Sequence, residues 1–204
     1  NPDFIGVKAL ACHNLDWSCK GALDFLDQTS EKPFFLYCAV TIPHGPGDDK
    51  RSWDADPLIT ADGMLKEPLN VMPPRHTIPE RLKKAGINNG WGRANLLWLD
   101  DMVGAIVKKL KETGQYENTV ILYFNDHGQK AKGTIYNGGV HSEGFISRPG
   151  GFPVGARTSV PVSNIDFLPT LCDIAGVDYA SQGKFDGKSF LPMLEGKSTK
   201  VHDA

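Results

Sequence analysis

Residues 119–139 read TVILYFNDHGQKAKGTIYNGG, and this stretch carries most of the information about the fold. It opens with an apolar run over 119–124, which is typical of a buried strand. An Asp-His-Gly sequence, two lysines and a glycine-flanked turn follow directly. Ligands of open α/β sheets bind beyond the carboxyl ends of the strands. A carboxylate, an imidazole and ammonium groups at such an end therefore indicate a binding site.

The rest of the chain predicts strands that alternate with helices. Residues 34–42 (FFLYCAVTI) are continuously apolar, as in a strand covered on both faces of a parallel sheet. Helical spacing of apolar residues predicts helices over 16–28, 94–112 and 163–175, with Asp16 as a candidate N-cap of the first. This order predicts an α/β class with a mostly parallel sheet flanked by helices.

Shorter elements complete the prediction. Short helices are expected near 79–85 and over 189–194, and a short strand over 144–147. Residues 47–92 hold many prolines, glycines and charges, so we interpret them as a long excursion, largely irregular, near a substrate pocket. The helix over 94–112 is expected to bury one stripe, formed by Leu96, Leu99, Val103, Ile106, Val107 and Leu110.

Composition bounds the class of protein. The chain has 204 residues, 40% of them hydrophobic, and a formal net charge of −2. This balance gives no sign of nucleic-acid binding, and no apolar run reaches the roughly 18 residues that span a bilayer. The four cysteines match no CxxC zinc or redox pattern. Because the chain starts at Asn1 rather than Met, we expect an N-terminal part to be missing.

Both predicted strands end in polar residues: His44 follows the first, and Asp126 and His127 follow the second. Asp126 offers a carboxylate oxygen and His127 a ring nitrogen. Oxygen ligands favour calcium or magnesium, whereas nitrogen favours zinc or manganese, so this pair alone leaves the metal open. The alternative is an Asp126 that caps a loop and a His127 on the surface.

The lysines and His44 extend this candidate site. An ammonium group such as that of Lys132 suits a substrate with negative oxygens, because it compensates charge that grows in the transition state. His44 lies on a proline-stiffened turn and could act on a leaving-group oxygen as a hydrogen-bond donor or general acid. The alternatives are that Lys130 and Lys132 are solvated and that His44 packs under a loop.

Several segments of the chain occur in an order that resembles one family. They are PFFLYCAVTIPHGP, WLDDMVGAIVKKLKETGQYENTVILYFNDHG, KGTIYNGGV, RPGG and DFLPTLCDIAG with DGKSFLPMLEG. On these segments the chain resembles the later part of a sulfatase domain, of the arylsulfatase type within the alkaline-phosphatase-like superfamily, from about residue 15 onward.

The resemblance implies a role for each candidate residue. Asp126 and His127 match the family's second metal-ligand pair, which usually holds calcium. Many members have Asn in place of His127, so magnesium or another divalent ion stays open. Lys132 matches the lysine that contacts the sulfate group, and His44 the histidine that contacts the sulfate or its leaving oxygen.

Other parts of the family's site are absent from this sequence. The family has an opening aspartate pair and a Cys/Ser-x-Pro-x-Arg motif whose first residue is oxidised to formylglycine. No cysteine or serine here is followed by x-Pro-x-Arg, and we interpret the pairs 48–49 and 100–101 as solvated carboxylates. We therefore expect residues 1–204 to be the later part of one catalytic domain, incomplete at its N-terminal side and inactive alone.

The resemblance also implies the reaction. The complete protein is expected to hydrolyse sulfate esters of a sugar or an aryl alcohol. Its expected setting is periplasmic, secreted or lysosomal. We expect no nucleic-acid or membrane partner, and the protein could form an oligomer. The alternatives are a phosphate-ester hydrolase of the same superfamily and a non-catalytic module. Substrate-contact candidates in the excursion are Arg51, Trp53, Arg75 and His76.

Overall fold

The computed structural model describes residues 14–29, 32–43, 53–88, 92–128 and 130–202. The chain divides into two compact units, Asn1–Tyr116 and Glu117–Ala204. None of the described helices combines the length and the apolar character needed to cross a membrane.

The first unit is mainly helical. Its elements in order are α1 (Leu15–Gln28), β1 (Ile59–Thr60), β2 (Gly63–Met64), α2 (Ile78–Lys84) and α3 (Arg93–Glu112). The two short strands form an antiparallel hairpin. The sequence predicts all three helices correctly but misses this hairpin, which lies in the excursion.

The start of α1 differs from the prediction. Asn14, not Asp16, is the N-cap, and its side-chain oxygen accepts a hydrogen bond from the backbone N–H of Trp17 at 3.3 Å. Asp16 is buried instead, where it pairs with Arg75 and accepts a hydrogen bond from the indole N–H of Trp98 at 3.2 Å. A buried carboxylate needs such partners, because an unpaired charge in the core is very costly.

The buried face of α3, which packs against α1, is also shifted from the predicted stripe. Leu99 is buried as predicted, but Leu96 is 49% exposed. Trp98 and Met102 lie in the core instead, each almost fully buried. The indole of Trp98 is accommodated there because Asp16 of α1 accepts the hydrogen bond from its N–H group.

Residues 34–42 form no strand in the structure, so the predicted strand is not confirmed. No strand pairs with them in the described part of the chain, and Phe35 and Tyr37 are 73% and 68% exposed. A continuously apolar run is buried only where other strands and helices cover both of its faces. The described residues cover this segment only in part: Ile42 is buried, and the ring of Phe34 lies 6.0 Å from that of Phe25.

The second unit contains an antiparallel strand pair and short helices. Its elements in order are β3 (Ile121–Phe124), α4 (Asn137–Val140), β4 (Gly144–Ser147), α5 (Phe167–Ala175) and α6 (Leu191–Leu194). Ile121 lies opposite Ser147, and Phe124 lies opposite Gly144. β3 and β4 are both predicted, but every strand pair in the described residues is antiparallel and β3 is only half-buried. The predicted mostly parallel sheet is not seen in that part of the chain.

Aromatic contacts hold β3 in place. The ring of Phe124 lies 4.7 Å from that of Phe167, and Phe167 lies 6.1 Å from the buried Phe190. On β3 itself, Tyr123 stacks on Phe145 of β4 at 5.3 Å. The carboxyl end of β3, where the candidate site begins, therefore packs against the aromatic side chain of Phe167, which in turn contacts Phe190.

Candidate active site

Asp126 and His127 lie together immediately after β3. Oδ2 of Asp126 is 3.5 Å from Nε2 of His127. Nδ1 of His127 lies 2.6 Å from the carbonyl oxygen of Gly128. Since a carbonyl oxygen can only accept, Nδ1 is the donor in this contact. In the neutral imidazole, Nε2 then carries a lone pair on the side of the Asp126 carboxylate.

This pair fits a divalent cation. Two ligands about 2.4 Å from one ion and at right angles to each other stand about 3.4 Å apart, close to the separation observed. Metal-ligating histidines usually donate their other N–H to a carbonyl or carboxylate, as His127 does. The side chain of Asp126 is 83% exposed, so the carboxylate is open to an ion.

The pair supplies two ligands and does not select one metal. Within the described ranges, no group of three or more His, Cys, Asp and Glu side chains could hold a metal. A carboxylate oxygen with an imidazole nitrogen is compatible with calcium, magnesium, manganese or zinc. The two side chains thus offer two of the several ligands that a bound cation would need.

The lysine turn folds back onto the residue after this pair. The N–H of Gly128 donates to the carbonyl of Gly139 at 2.9 Å, and the N–H of Lys130 donates to the carbonyl of Gly138 at 3.0 Å. Lys132 lies between these contacts, and its side chain is exposed. The backbone that carries Lys132 is therefore fixed to the end of the Asp-His-Gly sequence.

Two glycines make this close approach feasible. A Cβ at Gly128 would lie 2.5 Å from the carbonyl oxygen of Gly138. A Cβ at Gly139 would lie 2.4 Å from the carbonyl oxygens of both Ala131 and Thr134. Each of these distances is far below van der Waals contact, so any larger residue would force the turn apart.

His44 lies outside the described residues, as do the carboxylates at 48–49. Its predicted role in catalysis therefore stays a prediction. Asp126, His127 and Lys132 all lie in the second unit, on one continuous stretch of chain between β3 and β4.

Comparison with known proteins decides the family. The family model described as Sulfatase matches residues 18–177. The chain belongs to the sulfatase family. It is 31% identical to human N-acetylglucosamine-6-sulfatase, over 87% of this chain and 35% of that protein. It is 33% identical to the choline-sulfatase of Rhizobium meliloti, over 83% of this chain and 37% of that protein.

The chain spans about a third of the length of these sulfatase relatives. Among solved structures, Ps i-CgsB matches with a TM-score of 0.67 and 24% identity, over 90% of this chain and 38% of the other. The same protein in complex with k-i-k-neocarrahexaose matches with a TM-score of 0.66. The family and these matches give the chain an alkaline-phosphatase-like α/β fold.

Two residues differ from their predicted roles in this sulfatase chain. Arg75, a candidate for substrate contact, is buried in the first unit, where it pairs with Asp16 and lies 4.3 Å from the centre of the Trp98 ring. Asp101, interpreted as solvated, is buried and accepts two hydrogen bonds from Arg81 at 2.7 and 2.6 Å. Both carry out structural roles.

Sequence reasoning missed three residues around the site. Asn125, Ser142 and Glu143 contact one another beside the Asp126–His127 pair. The signal available was the position of Asn125 between the end of a strand and the Asp126–His127 pair. An amide side chain there can both donate and accept, which suits a connection between two chain segments.

Proposed function

We propose that this chain supplies part of the active site of a sulfate-ester hydrolase. The observation that carries the proposal is the position of the turn that contains Lys132. Its backbone is hydrogen-bonded to Gly128, directly after the Asp126–His127 pair, in a chain of the sulfatase family. The cation-binding pair and the ammonium group belong to one short stretch of backbone. That is the chemistry needed to hold a tetrahedral group with several anionic oxygens.

Lys132 is the proposed sulfate contact. Its ammonium group offers three N–H donors and a full positive charge, which stabilise the negative charge that the sulfate oxygens gain in the transition state. Such stabilisation depends on a fixed position, because a donor that must reorganise during the reaction contributes less. The backbone hydrogen bonds from Gly128 to Gly139 and from Lys130 to Gly138 hold the turn that carries Lys132.

Asp126 and His127 are the proposed ligands of a divalent cation, with calcium as the family's usual ion. The bound cation would supply positive charge next to the sulfate oxygens. Asp126 contributes the anionic oxygen, and His127 contributes Nε2 while its Nδ1–H is held by the carbonyl of Gly128. The remaining ligands and the formylglycine nucleophile would come from a part of the protein outside this sequence.

His44 is the proposed partner of the leaving oxygen. An imidazole can donate a hydrogen bond or a proton to the departing alcohol oxygen near neutral pH. We further propose that residues 34–42 act as a strand of a mostly parallel sheet in the complete domain. The exposure of Phe35 and Tyr37 supports this, because both would point to one face of such a sheet, where packed helices would cover them.

A sulfated carbohydrate or an aryl sulfate is the proposed substrate class. The relatives include an N-acetylglucosamine-6-sulfatase, and a solved structural match carries k-i-k-neocarrahexaose. Both names refer to saccharides, which favours a sulfated sugar over an aryl sulfate. We also propose an exported setting, namely periplasmic, secreted or lysosomal, on the basis of family membership.

The test compares two ester classes on the enzyme that contains this chain. Release of sulfate from para-nitrophenyl sulfate and from a panel of sulfated saccharides would be measured beside release of phosphate from para-nitrophenyl phosphate. We expect sulfate release that depends on an added divalent cation and is restored best by calcium after chelation. Phosphate release with no sulfate release would reject the proposal.

A further inference from the structure

We infer that Asn125, with Ser142 and Glu143, positions the Asp126–His127 pair for cation binding. This inference rests on the proposed function, because it concerns the cation site of that function. The three residues do not belong to the pair itself. They act on it through the backbone, since Asn125 is bonded directly to Asp126.

Every polar group of Asn125 is engaged. Its backbone N–H donates to the carbonyl of Glu143 at 3.1 Å, and its carbonyl accepts from the hydroxyl of Ser142 at 2.5 Å. Its side-chain Nδ2 donates to Oε2 of Glu143 at 3.1 Å. Its side-chain Oδ1 accepts from the hydroxyl of Tyr123 at 2.9 Å.

These contacts come from both neighbouring strands. Tyr123 lies on β3, whereas Ser142 and Glu143 lie just before β4. The backbone contact with Glu143 extends the β3–β4 ladder by one pair beyond Phe124 and Gly144. Asn125 is therefore the last residue held by the strand pair.

The cation ligands begin directly after that fixed point. Asp126 has an exposed side chain, and its Oδ2 lies 3.5 Å from Nε2 of His127. A carboxylate on a mobile backbone would lose conformational freedom on binding an ion, and this loss would weaken the affinity. Because four hydrogen bonds hold Asn125 before any ion binds, less conformational entropy is lost when Asp126 binds the cation.

Glu143 has two separable ways of acting. As a hydrogen-bond acceptor it orients Asn125, and as an anion it could attract the cation directly. Replacement of Glu143 by Gln removes the charge but keeps a side-chain oxygen that accepts from Nδ2 of Asn125. Replacement by Ala removes both. The comparison of these two variants separates positioning from charge.

The experiment measures the binding of Mn²⁺ to the enzyme that contains this chain, from the loss of the electron paramagnetic resonance signal of free Mn²⁺. We expect Asn125→Ala and Glu143→Ala to raise the Mn²⁺ dissociation constant at least about tenfold, the range seen when residues supporting metal ligands are lost. Glu143→Gln should stay within about threefold of the unsubstituted enzyme. Ser142→Ala should fall between these limits.

Controls separate this inference from the proposed function. Asp126→Asn should remove binding; unchanged binding in that variant, or no Mn²⁺ binding to the unsubstituted enzyme, would reject the cation site itself. Glu195→Ala removes one negative charge in the same unit, where Glu195 pairs with Lys197 at 2.8 Å, and should leave binding unchanged. Thermal unfolding of each variant monitors the fold.

Two results would overturn the positioning role. One is a Glu143→Gln variant that binds Mn²⁺ as weakly as Glu143→Ala, which would assign the effect to charge. The other is an Asn125→Ala variant with an unchanged dissociation constant while Asp126→Asn has lost binding. Either result leaves the proposed cation site in place and rejects the role of Asn125.

Discussion

Nε2 of His202 lies 2.8 Å from Oδ2 of Asp166, a carboxylate with a fully buried side chain. The same carboxylate accepts hydrogen bonds from the backbone N–H groups of Ser163 at 2.7 Å and Lys188 at 2.8 Å. Asp166 thus joins three separate segments of the second unit. The backbone of residue 187 passes so close that a Cβ there would lie 2.0 Å from the carbonyl oxygen of Ile165.

The first prediction concerns Asp166 and pH. Burial raises the pKa of this carboxyl, but the hydrogen bonds from His202, Ser163 and Lys188 outweigh burial and bring its pKa below the ordinary 3.8. The unfolded chain therefore takes up the proton first as the pH falls. The stabilisation is complete well above the ordinary pKa and is lost as the pH falls through the folded-state pKa.

The measurement is the midpoint of thermal unfolding between about pH 7 and about pH 2.5. Asp166→Asn should lower stability near neutral pH by about 1–3 kcal/mol, because backbone donors lose their charged acceptor. This variant should also lose less stability on acidification than the unsubstituted chain. Parallel pH profiles for the two proteins would contradict the assignment.

The second prediction concerns the lysine turn. Gly139→Ala places a methyl group 2.4 Å from two carbonyl oxygens, so the turn must open and move Lys132. Sulfate-ester hydrolysis by the enzyme containing this chain should fall at least about tenfold, since a displacement of about 1 Å at a reacting group can cost a hundredfold.

A matched control lies in α3. Gly104 is exposed in the middle of this helix, and a Cβ there would meet nothing within 4 Å. Gly104→Ala should therefore leave activity unchanged and stabilise the protein by about 0.5–1 kcal/mol. Equal activity of the two alanine variants would show that the turn tolerates the methyl group.

The third prediction concerns the buried pair of Arg75 and Asp16. Arg75→Ala leaves the carboxylate of Asp16 buried without its cation, which should cost about 3–5 kcal/mol of unfolding free energy. Lys108→Ala breaks an exposed pair with Glu112 and should cost less than about 1 kcal/mol. Urea unfolding of both variants gives the comparison, and similar losses would mean that Asp16 finds other partners.

The fourth prediction concerns Lys132. In the enzyme that contains this chain, Lys132→Ala should lower turnover at least a hundredfold, since loss of one such charged contact costs about 2.7–4 kcal/mol of transition-state stabilisation. Lys130→Ala removes the same charge from an exposed side chain two residues earlier and should retain most of the activity. Steady-state kinetics with a sulfate ester distinguishes the two, and near-normal turnover without Lys132 would reject its role.

The fifth prediction concerns association. Phe35 and Tyr37 expose most of their rings in a continuous apolar segment, so the isolated 204-residue chain should associate with other copies. Replacing both by Lys should reduce light scattering at a given concentration. Val154→Lys alters a single apolar residue that is 95% exposed, and should have little effect. Equal scattering from all three proteins would contradict this explanation.

Local signals predicted the helices and the β3–β4 segments well. The periodicity over 94–112 identifies α3, and Gly114, with a φ of 71°, follows its end as expected. The Asp126–His127 pair and the lysine turn were also predictable, because motif and turn residues are contiguous in the sequence. These features depend on interactions between residues near one another in the chain.

Apart from the missed β1–β2 hairpin, whose strands are two residues apart, the errors involve partners distant in the sequence. Asp16 is a plausible helix cap until Arg75 and Trp98 are placed beside it. The sequence around Asp101 is typical of a solvated carboxylate, because its partner Arg81 lies 20 residues earlier in the chain. Residues 34–42 have strand character, but strand formation needs neighbours that are not among the described residues. Periodicity alone contains no information about such partners.

The arrangement between β3 and β4 has a consequence for folding order. Asp126, His127 and Lys132 all belong to the connection of a single hairpin, and their supports at Asn125 and Gly139 belong to it as well. Contacts of such low sequence separation form quickly, because little chain entropy is lost when the loop closes. The part of the proposed site that this chain supplies should thus assemble early, independently of slower long-range pairing.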